Sequence, residues 1–472
     1  MANMLNSFLS DRTFQVNVEN YLSSKYPLKN GVPQGSVLSV TLFLVAMQPI
    51  FRIVINTVKV LLYADDILLL AWGKKEQPLY RKLQSAIEAV DRWAKSVGFS
   101  FSAMKSSIFY CSPNVRREPK KVLKINQIPI QTQTHLKILG VTLDRSLNFK
   151  MHCKLTKKTC ESRLYILKII GARLPRAQRI SLLQIGSAII TSRLLYGMGL
   201  ISKGGNNVIN TLTPTYNKTI RFASRAYVTS PIPAIMAEAG TLPFNFLVSQ
   251  TIARIAINML EKNSNNASLP LVNRVSQKLV EMVGTPLPDI CIRTRPGDRK
   301  WYDPKPRILW DIKKLVKAGD PPEIVRPVVQ HLLAERCDRT TVIYTDGSKD
   351  NNLVGSGVFG EHIQQSIGLP PQCSVFSAEA YAIKTTLARY HKCNNILIMS
   401  DSASVLSALE SGTSQHPWIQ NIETLIGNHS IHLCWIPGHA GIHGNEEADR
   451  LAREAKNNNY LHIPTPGIDA LQ

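Results

Sequence analysis

Between Thr341 and Lys456, four acidic residues stand where an element of secondary structure starts or stops, and this constrains the fold more than any other feature. The apolar strand Val342-Ile343-Tyr344-Thr345 runs into Asp346-Gly347-Ser348, and Gly355-Ser356-Gly357-Val358 reads as its hairpin partner. Ser377-Ala378-Glu379-Ala380-Tyr381 opens a helix with Glu379 in its first turn. Ile396 to Met399 is a buried strand ended by Ser400-Asp401-Ser402. Leu433-Cys434-Trp435-Ile436 is a further strand, followed by the loop Pro437-Gly438-His439-Ala440-Gly441. A last helix starts near Asn445-Glu446-Glu447 and carries Asp449.

Taken singly, an Asp at a strand end is more often a turn former or a helix cap. Four in this order suit one chemistry. Phosphodiester hydrolysis needs an attacking water and a stabilised leaving oxygen, which two divalent cations about 3.5–4 Å apart supply together. Hard oxygen ligands from several elements hold such cations. Without cations, a carboxylate pair 4 Å apart costs roughly 4 kcal/mol at an intermediate dielectric.

The motifs TDGS (345–348), SAEA (377–380), SDS (400–402) and WIPGHAGIHGNEEADRLA (435–452) resemble the type 1 ribonuclease H family. The resemblance implies a mixed five-stranded sheet with flanking helices. It implies that Asp346, Glu379, Asp401 and Asp449 bind two Mg²⁺ ions, with Mn²⁺ a substitute, and that His439 is a mobile imidazole that moves protons or releases product. The implied substrate is the RNA strand of an RNA–DNA hybrid. His443 is given no role. Glu446 stands either in the metal shell or as a helix N-terminal charge matched to the dipole.

Upstream, Tyr63-Ala64-Asp65-Asp66 sits between the apolar arms Val58–Leu62 and Ile67–Leu70, a hairpin with adjacent carboxylates at its tip. Earlier stands Gly31-Val32-Pro33-Gln34-Gly35-Ser36-Val37-Leu38-Ser39, a Gly-rich loop entering an apolar helix, where small residues and a Gln let a base pair approach the backbone. Together these resemble the palm of reverse transcriptases, especially those of non-LTR retrotransposons. Gly98-Phe99 with Lys105 resembles the next palm motif, although Ser102 stands where the family usually has Asn. Leu136 to Asp144 (LKILGVTLD) resembles the primer grip, and the helical region with Leu195-Tyr196-Gly197 the thumb and connection.

The resemblance makes Tyr63, Gln34, Gly35 and Lys105 polymerase residues, and Asp65 and Asp66 metal ligands. It also requires one more aspartate on a strand before the Gly-rich loop. The sole Asp before Gly31 is Asp11, in a segment resembling the stretch after that motif. The expectation is therefore no primer extension by this chain alone.

The chain reads as α/β and multidomain: a truncated reverse transcriptase palm (1–144), a helical thumb and connection (145–285), a Pro-rich basic linker (286–340), a ribonuclease H domain (341–456) and a tail (457–472). The formal net charge is +23. Residues 341–456 hold 7 basic and 11 acidic residues, whereas the first 340 hold 49 basic and 21 acidic, a net of +28. Such an asymmetry suits a polyanion held by the first part and worked on by the second.

No basic stretch with a continuous apolar run opens the chain, so no secretory signal is read. The stretch Ile180 to Leu200 carries Gln184 and Arg193, and no membrane partner is expected. Eight cysteines lie scattered, with no Cys-x-x-Cys pair, as reduced intracellular thiols do; His391-Lys392-Cys393 reads as chance neighbours. A nuclear setting follows from the resemblance, with Arg116-Arg117 and Lys120-Lys121 a short basic run. The leading function is a metal-dependent hybrid ribonuclease at the C-terminal end of a retrotransposon polyprotein. The alternatives are a non-catalytic nucleic-acid-binding relic and a polymerase active only with upstream segments.

Overall fold

In the computed structural model the described residues are 2–470, apart from 20, 55–57, 112–121, 174–178, 202–205, 263–287 (of which 273, 277 and 280 are described), 293–305, 307, 317–319, 337–339, 391–394, 427–430 and 456–458. The basic run at 116–121, the neighbours 391–393 and much of the Pro-rich stretch lie outside them.

The chain forms two compact units, Met1–Leu155 and Thr156–Gln472. The break falls past residue 144 because the helix Lys150–Arg173 starts inside the first unit. Phe149 and Cys153 are buried there, and the Thr142 backbone N–H donates to His152 Nδ1 at 3.1 Å.

In the first unit, Lys59–Tyr63 and Asp66–Leu70 form an antiparallel hairpin with Tyr63 opposite Asp66. Alternation turns Val60, Leu62, Ile67 and Leu69 towards a core of Met47, Ile50, Val54, Val58, Ala86 and Val90, and leaves Leu61 and Tyr63 exposed. A second hairpin joins His135–Ile138 to Val141–Asp144. Its two-residue turn, Leu139 and Gly140, has positive φ at both positions, which matches the right-handed twist of the strands.

The second unit begins with helices. From Thr156 on, Lys150–Arg173 buries Thr156, Cys160, Leu164 and Leu167, the stripe of a 3.6-residue period, and exposes Lys158 and Lys168. The run Arg179–Ile201 is long and apolar enough, by length and composition, to cross a membrane; its Leu182, Ile190, Leu194 and Met198 are buried in this unit.

A mixed sheet dominates the rest. Its strands are β1 (Ile308–Leu309), β2 (Thr341–Asp350), β3 (Leu353–Gly360), β4 (Ile363–Leu369), β5 (Ile396–Ser400) and β6 (Ile431–Trp435), in the order β1-β6-β5-β2-β3-β4. The pairs β2/β3 and β3/β4 are antiparallel; β2/β5, β5/β6 and β1/β6 are parallel. Every residue of β5 is buried, as expected of a parallel strand covered on both faces.

The helices are α1 (Asp311–Leu315), α2 (Pro322–Arg336), α3 (Val375–Tyr390), α4 (Ala403–Ser411), α5 (Pro417–Ile426) and α6 (His443–Glu454). Strand alternation puts α3 and α6 on opposite faces: Ser356 Oγ donates to Ala378 O of α3 at 2.6 Å, while its neighbours Gly355 and Gly357 lie against α6.

Two expectations need correction. The sheet has six strands, not five, because Ile308–Leu309 adds a parallel strand beside Leu433–Cys434. The stretch expected to be a linker also holds α1 and α2, and its Ile312, Val316, Val325, Val329 and Leu332 join the sheet's own core. Pro321 and Pro322 stand at the start of α2, where a missing N–H costs nothing, whereas Pro327 lies inside the helix.

The tail is docked as well: Leu461 N donates to Gly368 O (2.9 Å), Thr465 N to Asp289 O (2.7 Å) and Gly467 N to Glu261 Oε1 (3.0 Å).

Six apolar side chains of 308–336 are buried in this core, at about 1.5–3 kcal/mol each for full burial. That gross term rivals the roughly 5–15 kcal/mol net stability of a whole domain. A fragment starting at Thr340 is therefore expected to unfold at a clearly lower urea midpoint than one starting at Pro306. Equal midpoints would mean that the segment only decorates the sheet.

Candidate active site

Asp346 lies within β2, level with the point where its parallel partner β5 ends. Asp401 follows the last residue of β5, and Glu379 sits in the first turns of α3. Gly347 is what lets α3 come this near: a Cβ there would lie 2.5 Å from Glu379 N. Oxygens of Asp346, Glu379 and Asp401 consequently lie within 4.8 Å of one another, with Asp346 and Glu379 buried and Asp401 half-buried.

Asp346 Oδ1 accepts from Gly347 N at 2.7 Å. Glu379 Oε2 is buried with no hydrogen-bond partner among the described residues. Trp435 Nε1 donates to the Asp401 backbone oxygen at 3.2 Å, tying the end of β6 to the end of β5.

Asp449 comes from α6 and lies beside this trio, near enough to act on Asp346 and Asp401 electrostatically. Its Oδ2 pairs with Arg453 at 2.7 Å, one turn on, and stands 3.9 Å from His439 Nδ1. His439 is exposed, with its backbone in the left-handed region at φ 53°. Ligand atoms of His439, Glu446 and Asp449 also fall within 4.8 Å of one another. Glu446 Oε1 accepts from Gly441 N at 3.3 Å, and His443 stands edge-on to Phe359.

Burial pushes the Asp346 carboxyl up to about 7, with Asp401 and then Asp449 adding to it against the Gly347 N–H. Burial also raises Glu379 well above the usual carboxylate range, helped by Asp346 and Asp401. Asp401 is raised by burial and by Asp449, opposed by the Asn445 amide and by His439. This donor set fits a hard divalent cation: clustered carboxylate oxygens, one of them buried with no hydrogen-bond partner among the described residues.

The expected polymerase residues lie in the first unit and form no such set. Asp65 and Asp66 are exposed at the hairpin tip beside exposed Tyr63. Gln34 and Gly35 lie in an exposed turn before the helix Val37–Met47, and Lys105 is exposed in a turn. Among the described residues, both clusters of three or more possible ligands lie in the last third of the chain.

Sequence reasoning missed Asn445, Arg453 and Arg326. Asn445 and Arg453 sit four residues before and after Asp449 on one helix face, a spacing that could have flagged them. Arg326, whose Nε donates to Gly441 O, is 115 residues from its partner and gave no local signal.

The family described as "RNase H" matches residues 338–457, and that described as "Reverse transcriptase (RNA-dependent DNA polymerase)" matches residues 2–143. Ribonuclease H of Tropheryma whipplei (strain Twist) is 36% identical over 110 residues, which cover 19% of this chain and 68% of that protein. The chain thus belongs to the ribonuclease H family through its last domain, preceded by a reverse transcriptase domain.

It is also similar to the RNA-directed DNA polymerase from mobile element jockey of Drosophila melanogaster, 29% identical over 232 residues, which cover 47% of this chain and 25% of that protein. The chain spans about a quarter of the length of that relative. A solved ribonuclease H1 from Halobacterium salinarum aligns over 25% of this chain and 99% of its own, with 19% identity and a TM-score of 0.21.

The pH dependence of stability follows from the raised carboxyls. A carboxyl that holds its proton more tightly when folded stabilises the fold fully below its unfolded value near 4, and loses that contribution as the pH rises through its folded value near 7. In chelator, unfolding temperature is expected to fall from pH 4 to pH 8, and to fall less in Asp346→Asn. Parallel curves for the two proteins would contradict the shared burial of these groups.

Proposed function

We propose that the last domain hydrolyses the RNA strand of RNA–DNA hybrids with the help of divalent cations, within an RNA-directed DNA polymerase of a retrotransposon. The observation that carries the reading is the convergence of buried Asp346 and Glu379 with half-buried Asp401, where one Glu379 oxygen has no hydrogen-bond partner among the described residues.

Asp346, Glu379, Asp401 and Asp449 would hold two Mg²⁺ ions, or Mn²⁺ in their place. Bound there, the ions would supply an activated water and charge stabilisation at the leaving oxygen. Asp346 would contribute its oxygens from within β2. His439, exposed on its loop beside Asp449, is placed to take up or deliver a proton at the solvent side. Arg453 neutralises Asp449, a role it must share with any cation that binds.

The basic first 340 residues grip the nucleic acid, with the exposed lysines of Lys150–Arg173 among its contacts. Asp65 and Asp66 would serve polymerisation only together with upstream polyprotein segments. No membrane partner is proposed. An intracellular, nuclear setting is part of the proposal. In its support, Cys153, Cys160, Cys373 and Cys434 are buried and in no disulfide, and burial pushes the first two thiols up to about 11 and Cys373 to about 12.

The full chain is expected to cut RNA in a labelled hybrid when Mg²⁺ is present, and to spare single-stranded RNA and duplex DNA. Asp346→Asn keeps the shape of the side chain but loses the charge, and should lower the rate at least a hundred-fold, a loss of roughly 3 kcal/mol or more. His439→Ala should slow cutting roughly ten-fold or more, the scale of a lost acid–base group. A parent that leaves the hybrid intact, or an Asn variant as fast as the parent, sinks the proposal.

A further inference from the structure

We infer that Arg326 is a positioning residue for the loop that carries His439, so that a segment ahead of the matched ribonuclease H stretch helps set its rate. The inference rests on the cutting reading above.

Helix α2 buries Val325, Val329 and Leu332 in the core of the sheet, which fixes its rotation about its own axis. Arg326 therefore projects at the rim, where its Nε donates to Gly441 O at 2.8 Å. The N–H of the same residue donates to Glu446 Oε1 at 3.3 Å. Both backbone polar groups of Gly441 are thus held, one by α2 and one by α6.

Gly441 has φ +68°, and a Cβ there would collide with the Arg326 guanidinium. Only glycine accepts that backbone conformation without strain while leaving the guanidinium its place. His439 lies two residues earlier, also at positive φ, with an imidazole that is 71% exposed and has Asp449 Oδ2 at 3.9 Å. An exposed ring takes its position from its backbone. The ends of that backbone are set by buried Ile436, Ala440 and Ile442, and its peptide plane at Gly441 by Arg326. Arg326 is solvent-exposed, so its replacement removes no core packing.

The test uses the full chain with Arg326→Gln and Arg326→Lys, each also combined with His439→Ala. In the parent background Arg326→Gln should lower kcat roughly ten-fold, the scale of one lost charge-assisted hydrogen bond, with KM unchanged. Arg326→Lys should recover part of the rate. In the His439→Ala background Arg326→Gln should cost nothing further.

Amide exchange over 437–443 should quicken in Arg326→Gln whether or not hybrid is cut. A rise in KM alone would mean that Arg326 touches the nucleic acid instead. An equal loss with and without His439 would mean that it acts elsewhere, and unchanged exchange would mean that it does not hold the loop. Each of these overturns the inference. A parent that fails to cut overturns the ribonuclease reading, and the exchange comparison still decides the role of Arg326.

Discussion

Mutual repulsion among buried carboxylates is the constraint around which the last domain is organised. At 4 Å, two such charges cost roughly 4 kcal/mol even at an intermediate dielectric, and a third adds to that. The fold meets this repulsion with rigid elements. Asp346 is fixed within the sheet, Glu379 by a helix that Gly347 allows to approach, and Asp401 by a strand end tied to Trp435. Raised carboxyl affinities for protons are the signature of that confinement. Protons relieve it at low pH, and a divalent cation would relieve it at the pH where a hydrolase works.

The second unit extends well beyond the matched stretch of 338–457. Strand β1 and helices α1 and α2 share its core, and the tail binds back to Gly368, Asp289 and Glu261. Lys313 lies over the rings of both Trp310 and Trp435, and Trp435 in turn holds the Asp401 backbone. The segment between β1 and β2 therefore reaches the site from two sides, through Trp435 at Asp401 and through Arg326 at the His439 loop. A domain cut at the edge of the family match would lose both.

Legibility in the sequence followed the range of the interactions. The acidic residues at the ends of β5 and in α3 and α6 could be placed because strand alternation, turn residues and helix starts are local signals. The hairpin at Tyr63 to Asp66 was legible for the same reason. What escaped is long-range. Ile308–Leu309 is a two-residue strand with no period of its own, defined only by Leu433–Cys434, which lies far along the chain. A proline-rich composition looked like a linker because composition does not report what a segment packs against. The bond from Arg326 to Gly441 has no trace in either local sequence. In the first unit the motifs were legible, but they mark an exposed hairpin tip and not a closed carboxylate set.

The most direct measurement of the central claim is a calorimetric titration of Mg²⁺ into the full chain near pH 8, beside Glu379→Gln. Glu379 provides the buried oxygen with no partner, and its replacement keeps size and shape while removing the charge. The convergence of carboxylates predicts saturable binding in the parent that weakens at least ten-fold in the variant, about 1.4 kcal/mol. Identical isotherms for the two proteins would show that the buried carboxylates hold no cation, and the hydrolytic reading of the site would fall with them.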